Sequence, residues 1–144
     1  MDIRLNKYFY ILINVILPIF FGLLIYIIYR SQELLIFNWV NQLGLAGYLH
    51  YLRKELFLSS SAPFWFKYNL PDGLWIYSFT SFMIFIWKNE INKKKYLWFF
   101  LCPILASFSE FLQFLDFFPG TYDFMDIVFY MIFGSLPIVL IFNR

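Results

Sequence analysis

The chain of 144 residues is 62% hydrophobic and 26% aromatic, and only 14% of its residues are charged. A soluble domain of this length lacks the polar surface to cover so many apolar side chains, so the composition excludes an ordinary soluble protein. The net charge of +2 and the scattered Lys and Arg residues exclude a nucleic-acid partner. Cys102 is the single cysteine, so neither an intramolecular disulfide nor a cysteine-based metal motif is expected.

The first apolar run covers residues 8–29 and follows Arg4 and Lys7. A basic start is typical of a signal peptide, but this run is long enough to cross a bilayer and has no small-residue cleavage site. We therefore expect a retained anchor helix. Asn14, Pro18 and Gly22 predict a kink in it.

Three further apolar runs cover residues 73–87, 96–115 and 127–142. Together with the first run they predict an all-α integral membrane protein, a four-transmembrane-helix bundle that forms a single membrane domain over residues 1–144. The first outer loop is rich in Leu, Phe and Trp, and we expect one or two interfacial helices over residues 32–58. Pro71-Asp72-Gly73 predicts the turn into the second span.

Basic residues predict the orientation of the bundle. The loop between the second and third spans carries four lysines, whereas the loop from Asp116 to Asp126 carries no Lys or Arg. Basic loops stay in the cytoplasm, so both termini are predicted inside. Seven basic residues then lie inside and four outside; the inner set is Arg4, Lys7, Lys88, Lys93, Lys94, Lys95 and Arg144.

Each predicted span carries small or polar residues at helical spacing. Lipid supplies no hydrophobic drive for helix association, so close backbone approach and interhelical hydrogen bonds must hold the bundle together. The residues predicted to pack the helices are Asn14, Gly22, Ser78, Ser81 and Gly134. The same stripes are also compatible with a homo-oligomer or a partner membrane protein.

Acidic and amide residues collect at the predicted outer end of the bundle. A carboxylate at membrane depth is costly unless it is paired, hydrated or protonated, so Glu110 is the leading functional candidate. The predicted pocket comprises Glu110, Gln113, Asp123, Asp126 and Asp72. Arg53, Lys67 or His50 are candidates to neutralise it, and no bound metal or other cofactor is predicted.

Structural roles offer a simpler explanation for several of these residues. Asp72 and Asp126 stand immediately before apolar runs, where helix N-caps belong. Asp123 follows Pro119-Gly120 and suits a turn. Glu110 in turn could lock the bundle through hydrogen bonds to Gln113 and to the serines of the second span.

Glu110-x-x-Gln113, followed by Asp123-x-x-Asp126 and then Gly134, resembles the motif of the VanZ-like family of small bacterial membrane proteins, named for a teicoplanin-resistance accessory protein. The resemblance covers residues 69–140. The chain departs from the family pattern at two places: Gly120 and Thr121 stand where the loop arginine is expected, and Tyr130 stands where the last span carries asparagine. The resemblance implies a location in the inner (plasma) membrane of a bacterium and a role at the cell envelope, in handling a lipid-linked precursor or reducing the binding of an antibiotic.

The leading hypothesis is therefore a VanZ-like envelope protein with an outward-facing acidic pocket and membrane lipid as its surroundings. No catalytic residue is identified, because Ser59, Ser60 and Ser61 have no His or Asp placed locally to activate them. The alternative is a non-catalytic oligomeric subunit or effector that perturbs or gates the membrane, as in a bacterial defence or stress system. An ion carrier titrating at Glu110 is a weaker third hypothesis, since no second buried charge is evident.

Overall fold

The computed structural model describes residues 3–30, 35–58, 62–87, 89 and 93–142. Lys88, Arg144 and the serines at 59–61, which the sequence analysis considers, lie outside these residues. All the regular elements of the described part are helices, with no strand among them, and this confirms the prediction of an all-α chain. Their bounds are α1 Ile3–Ile11, α2 Leu17–Tyr29, α3 Leu35–Gln42, α4 Ala46–Leu58, α5 Phe64–Trp87, α6 Lys95–Phe114 and α7 Phe124–Pro137, with π-helical segments at Leu12–Ile16 and Ile138–Phe142.

Helix α5 is the centre of the bundle and packs against α2, α6 and α7. The chain passes up and down through α2, α5, α6 and α7, so that the end of α2, the start of α5, the end of α6 and the start of α7 share one end. Helices α3 and α4 lie in the connection between α2 and α5, where an interfacial helical loop was expected, and α4 packs against α2.

Two helices are long and apolar enough to cross a membrane, by length and composition: Lys7–Tyr29 and Lys95–Phe114. Their most apolar windows are only 11% and 17% buried within the chain. A core helix of a soluble protein would be mostly buried, so these two helices present apolar surface outward. The shorter helical run Phe124–Leu140 is also apolar.

Proline shapes the bundle helices. Pro18 and Pro137 adjoin the two π-helical segments, where the missing N–H and the ring of proline disturb the regular hydrogen-bond ladder. Pro103 leaves the carbonyl of Phe99 without its usual helical donor, and Thr80 Oγ1 of α5 donates to that carbonyl at 3.4 Å. A neighbouring helix therefore restores the hydrogen bond that proline removes.

The turn predicted at Pro71-Asp72-Gly73 is wrong, because all three residues lie inside α5. The helix begins seven residues before Pro71, after Pro63, whose carbonyl accepts from the amides of Phe66 and Lys67. Pro71 costs the helix a hydrogen bond, but it is fully buried. Gly73 allows a close approach to α7, since a Cβ there would lie 2.9 Å from Phe133.

The residues predicted to pack the helices lie at helix contacts. A Cβ on Gly22 would lie 2.8 Å from Trp75 Nε1, and a Cβ on Gly134 would collide with Pro103. Asn14 Oδ1 accepts from the Tyr77 hydroxyl at 3.0 Å. Ser78 and Ser81 are fully buried on α5; Ser78 Oγ donates to the Val15 carbonyl at 3.0 Å, and the Ser81 carbonyl accepts from Tyr10 at 2.9 Å.

Candidate functional site

A cluster of polar side chains occupies the end of the bundle where α2, α5, α6 and α7 meet. We call it the polar cluster, and its members are Arg30, Asn69, Asp72, Glu110, Asp123, Asp126 and Tyr130. Four separate helices contribute to it, so its geometry depends on the packing of the whole bundle.

Glu110 is the buried carboxyl group of the polar cluster, with 4% of its surface exposed. Its Oε2 accepts from the backbone N–H of Asp123 at 3.3 Å, and its Oε1 accepts from the Tyr130 hydroxyl at 3.4 Å. The prediction that Glu110 bonds to the serines of the second span is wrong. Its hydrogen bonds to Asp123 and Tyr130 join α6 to α7 instead.

Asn69 of α5 connects the two aspartates of α7 to the rest of the bundle. Its side chain is fully buried, and Nδ2 donates to Asp123 Oδ2 at 3.0 Å and to Asp126 Oδ1 at 2.7 Å. Hydrogen bonds to ionised acceptors are the stronger kind. A single amide therefore holds two carboxylates that would otherwise repel each other.

The N-cap of α7 is Asp123, and the prediction of that role for Asp126 is wrong. Asp123 has an extended backbone, and its Oδ1 accepts from the backbone N–H of Met125 at 2.8 Å. Asp126 lies in the first turn of α7, where a negative charge is favoured by the helix dipole and by the exposed backbone N–H groups. The cap fixes one oxygen of Asp123 and leaves the other to face Asn69.

Asp72 pairs with Arg30 across α2 and α5, and as a residue inside α5 it does not cap that helix. Arg30 Nη2 lies 3.4 Å from Asp72 Oδ2 and 3.3 Å from the carbonyl of Tyr68. The guanidinium also lies over the rings of Tyr26 and Tyr68, at 5.4 and 5.1 Å from their centroids. Asp72 lies near enough to Asp126 and Glu110 for their charges to interact, so it belongs to the cluster.

The cations predicted to neutralise the cluster lie elsewhere. Arg53 donates to the carbonyls of Ile27 and Arg30, at 3.1 and 2.8 Å, and so holds α4 against the end of α2. Burial lowers the pKa of the Arg53 guanidinium. Lys67 lies over the Tyr29 ring, and His50 is exposed on α4. Arg30, which the sequence analysis counted only for orientation, is the cation that pairs with the cluster.

Gln113 lies beside the polar cluster and supports the loop that precedes α7. A Cβ on Gly120 would lie 2.7 Å from the Gln113 side chain, and Gly120 has a φ of 147°. The backbone conformation therefore favours glycine there, and its missing side chain leaves room for the tip of Gln113. Asp116, in the same loop, is exposed and has a positive φ of 57°. Four of the five predicted pocket residues thus meet, and Gln113 packs under the adjoining loop.

Three members of the polar cluster, Arg30, Asn69 and Tyr130, were not among the pocket residues predicted from the sequence. Asn69 stands one helical turn before Asp72, so the i, i+3 spacing on α5 was a usable signal once Pro71 was accepted inside the helix. Arg30 directly follows the first apolar run, and only the tertiary arrangement brings it to Asp72.

The polar cluster holds four carboxyl groups and one guanidinium. It therefore offers more hydrogen-bond acceptor oxygens than N–H and O–H donors. Among the described residues, no group of three or more His, Cys, Asp or Glu side chains is placed to hold a metal ion. The arrangement suits binding of a ligand that donates hydrogen bonds or carries positive charge.

The fold and the site together define a helical bundle with apolar helices compatible with a membrane and a polar cluster at one end. Comparison with protein-family models, with curated proteins and with solved structures finds no match to this chain.

Proposed function

We propose that this chain is a VanZ-like integral membrane protein of the bacterial cell envelope, whose polar cluster faces outward and binds a lipid-linked or antibiotic ligand. The proposed action is the binding of that ligand. The observation that carries the proposal is the burial of Glu110, at 4% exposure, among three aspartates drawn together from two other helices. A carboxyl group buried in an apolar helix is costly and is therefore a candidate functional site.

Four spans are the arrangement that fits the helices best. Helix α5 has 24 residues, about 36 Å at the helical rise, and α7 with its π-helical extension covers residues 124–142, about 28 Å. Both lengths are close to that of the hydrocarbon layer, so α5 and α7 can cross beside the two more apolar helices. Large apolar side chains are exposed on all the bundle helices, among them Phe20, Phe82, Leu105 and Met131. These faces are suited to lipid.

The outward direction of the polar cluster follows from charge. Lys93, Lys94 and Lys95 lie at the opposite end of α6 from Glu110, whereas the connection from α6 to α7 has acidic residues and no Lys or Arg. The positive-inside rule therefore puts the lysines in the cytoplasm and the polar cluster at the outer surface. A ligand handled at the envelope would meet the protein there.

This chain lacks the asparagine that the VanZ-like pattern has in the last span, and another helix supplies an amide instead. The family pattern has asparagine at the position of Tyr130, and here the Tyr130 hydroxyl donates to Glu110 while Asn69 of α5 provides the buried amide. The polar cluster thus keeps an amide hydrogen-bonded to Asp123 and Asp126 and two further carboxyl groups near them, although the motif in the sequence is incomplete. This supports a retained binding role with altered ligand preference.

The rival hypothesis of an oligomeric subunit relied on the stripes of small residues. Those stripes are used inside one chain: Gly22 faces Trp75, Ser78 donates to the carbonyl of Val15, and Gly134 faces Pro103. Because the same surfaces cannot also pack a second copy, the binding proposal is the better supported of the two.

Substitution of Glu110 by Gln tests the proposed function. The change keeps the shape of the side chain and removes its negative charge, so the protein should still fold while its protection of cells is lost. We expect cells that express the wild-type chain to show reduced sensitivity to teicoplanin, and cells that express Glu110→Gln at equal membrane levels to match an empty-vector strain. The matched control is Asp116→Asn, which removes a carboxylate from the exposed loop and should retain protection. Equal sensitivity of the Glu110→Gln and wild-type strains would reject the pocket.

A further inference from the structure

The polar cluster contains one buried acceptor and one buried donor that have no hydrogen-bond partner. Asn69 is fully buried with its amide tip between Asp123 and Asp126, and its Oδ1 accepts no hydrogen bond. Arg30 Nε is likewise buried and donates to no group. Unpaired polar atoms cost about 1–3 kcal/mol each when water is excluded, so a pair of them in one cluster points to a ligand that satisfies both.

The two unpaired atoms belong to neighbouring parts of the molecule. Arg30 donates to the carbonyl of Tyr68, the residue directly before Asn69, and to Asp72, one turn further along α5. The same turn of α5 therefore contacts the guanidinium and carries the buried amide. We infer that one small ligand lying along this turn, about 5 Å in length, serves both atoms.

The chemistry on the amide side calls for a donor with positive charge. Asn69 Oδ1 lies in a cluster with the carboxylates of Asp123 and Asp126, and all of these oxygens are acceptors once Asn69 Nδ2 has been used. A metal ion needs several oxygens at short range, and the described residues hold no such group. A protonated primary amine fits instead, because it carries three N–H donors and unit charge.

The chemistry on the guanidinium side calls for an anionic acceptor. Arg30 Nη2 donates to Asp72, whereas Arg30 Nε has no hydrogen-bond partner. The guanidinium of Arg53 donates to the backbone carbonyl of Arg30. Guanidinium groups are the usual partners of phosphate oxygens. The side chains of Arg30 and Asp72 are 29% and 22% exposed, whereas Asn69 is fully buried, so the guanidinium side is the more accessible side of the polar cluster.

We propose, building on the function proposed above, that the polar cluster recognises a phosphoethanolamine group, a phosphate ester with a primary ammonium two carbons away. The ammonium donates to Asn69 Oδ1 and to the carboxylates of Asp123 and Asp126. A phosphate oxygen accepts from Arg30 Nε. The same chemistry occurs in a lipid headgroup and in free phosphoethanolamine.

The test compares phosphatidylethanolamine with phosphatidylcholine on the purified full chain in detergent. The two lipids carry the same charges, but three methyl groups remove every N–H donor from the choline. Native mass spectrometry of the protein with equal amounts of the two dioleoyl lipids should show phosphatidylethanolamine bound about tenfold more tightly, as expected for losing a charge-assisted hydrogen bond. Free phosphoethanolamine added at millimolar concentration separates the sources. Displacement of the lipid indicates that the headgroup alone is recognised, and failure to displace it indicates a lipid ligand.

Two variants show whether the preference belongs to the polar cluster. Asp126→Asn and Asn69→Leu should each bring the ratio of the two lipids close to one, and Asp116→Asn in the exposed loop should keep it. If Asn69→Leu fails to fold, the test relies on Asp126→Asn alone. An elution volume of Asp126→Asn equal to that of the wild-type chain shows that this variant is folded. Equal binding of the two lipids to the wild-type chain, or a preference that survives Asp126→Asn, would overturn the proposal.

The two proposals fail in different ways. Equal lipid binding together with Glu110-dependent protection from teicoplanin would reject amine recognition and leave the envelope function standing. A lipid preference that depends on Asp126, in a chain that gives no protection from teicoplanin, would reject that function and leave the phosphoethanolamine site standing.

Discussion

Replacing Gly134 with leucine is expected to lower the stability of the bundle by about 3 kcal/mol, because overpacking a filled helix contact forces side chains and backbone apart. A Cβ at Gly134 would collide with Pro103 and would also touch Ile76 at 3.4 Å. The contact lies one turn from Tyr130, so separating α6 from α7 should also break the hydrogen bond between Tyr130 and Glu110. Unfolding in detergent, followed by circular dichroism, measures the effect.

Gly47 provides the matched control for this experiment. It lies in α4, and a Cβ there would have no neighbour within 4 Å. Gly47→Leu should be neutral or stabilising by up to about 1 kcal/mol, since leucine is the better helix former. A Gly134→Leu protein as stable as Gly47→Leu would show that α6 and α7 are not packed as described.

Substitution of Asn69 by leucine has the second large expected effect. It removes the only amide that donates to both Asp123 and Asp126 in the described part of the chain and leaves two carboxylates facing each other. Loss of two charge-assisted hydrogen bonds at a buried position should reduce stability by about 3 kcal/mol. The same unfolding measurement applies.

A second substitution separates electrostatics from simple loss of packing. Adding Asp126→Asn to Asn69→Leu relieves the repulsion between the two aspartates, so the double variant should be more stable than Asn69→Leu alone. Asn41→Leu on the exposed face of α3 is the control and should change stability by less than about 0.5 kcal/mol. If the double variant is less stable than Asn69→Leu, the carboxylates do not repel each other in the folded protein.

The helices could be predicted from the sequence because long apolar runs leave few other structures open to the chain. Helix α6 covers Lys95–Phe114, within one residue of the run predicted at 96–115. The start of α5 could not be predicted, because Pro71 and Gly73 carry the local signature of a turn. Tertiary packing overrides that signature: both residues are buried, and Gly73 brings α5 against Phe133 of α7.

The candidate site could be predicted in part for a similar reason. Glu110, Asp123 and Asp126 were recognisable because carboxyl groups in or beside apolar helices are rare and costly. The cap of α7 was assigned one turn too late, since Asp123 and Asp126 both precede apolar residues and only the backbone distinguishes them. The partners Arg30 and Asn69 depend on how α2, α5 and α7 cross, which local sequence does not encode.

Cysteine labelling in intact cells tests most directly whether the polar cluster lies at the outer surface of a membrane bundle. The native thiol is first removed by Cys102→Ala, and single cysteines are then introduced as Asp116→Cys and Lys93→Cys, both at exposed positions at opposite ends of the bundle. We expect a membrane-impermeant maleimide to label position 116 in intact cells and position 93 only after the membrane is opened. Labelling of position 93 but not 116 in intact cells would put the carboxyl groups at the cytoplasmic end and contradict the proposed function.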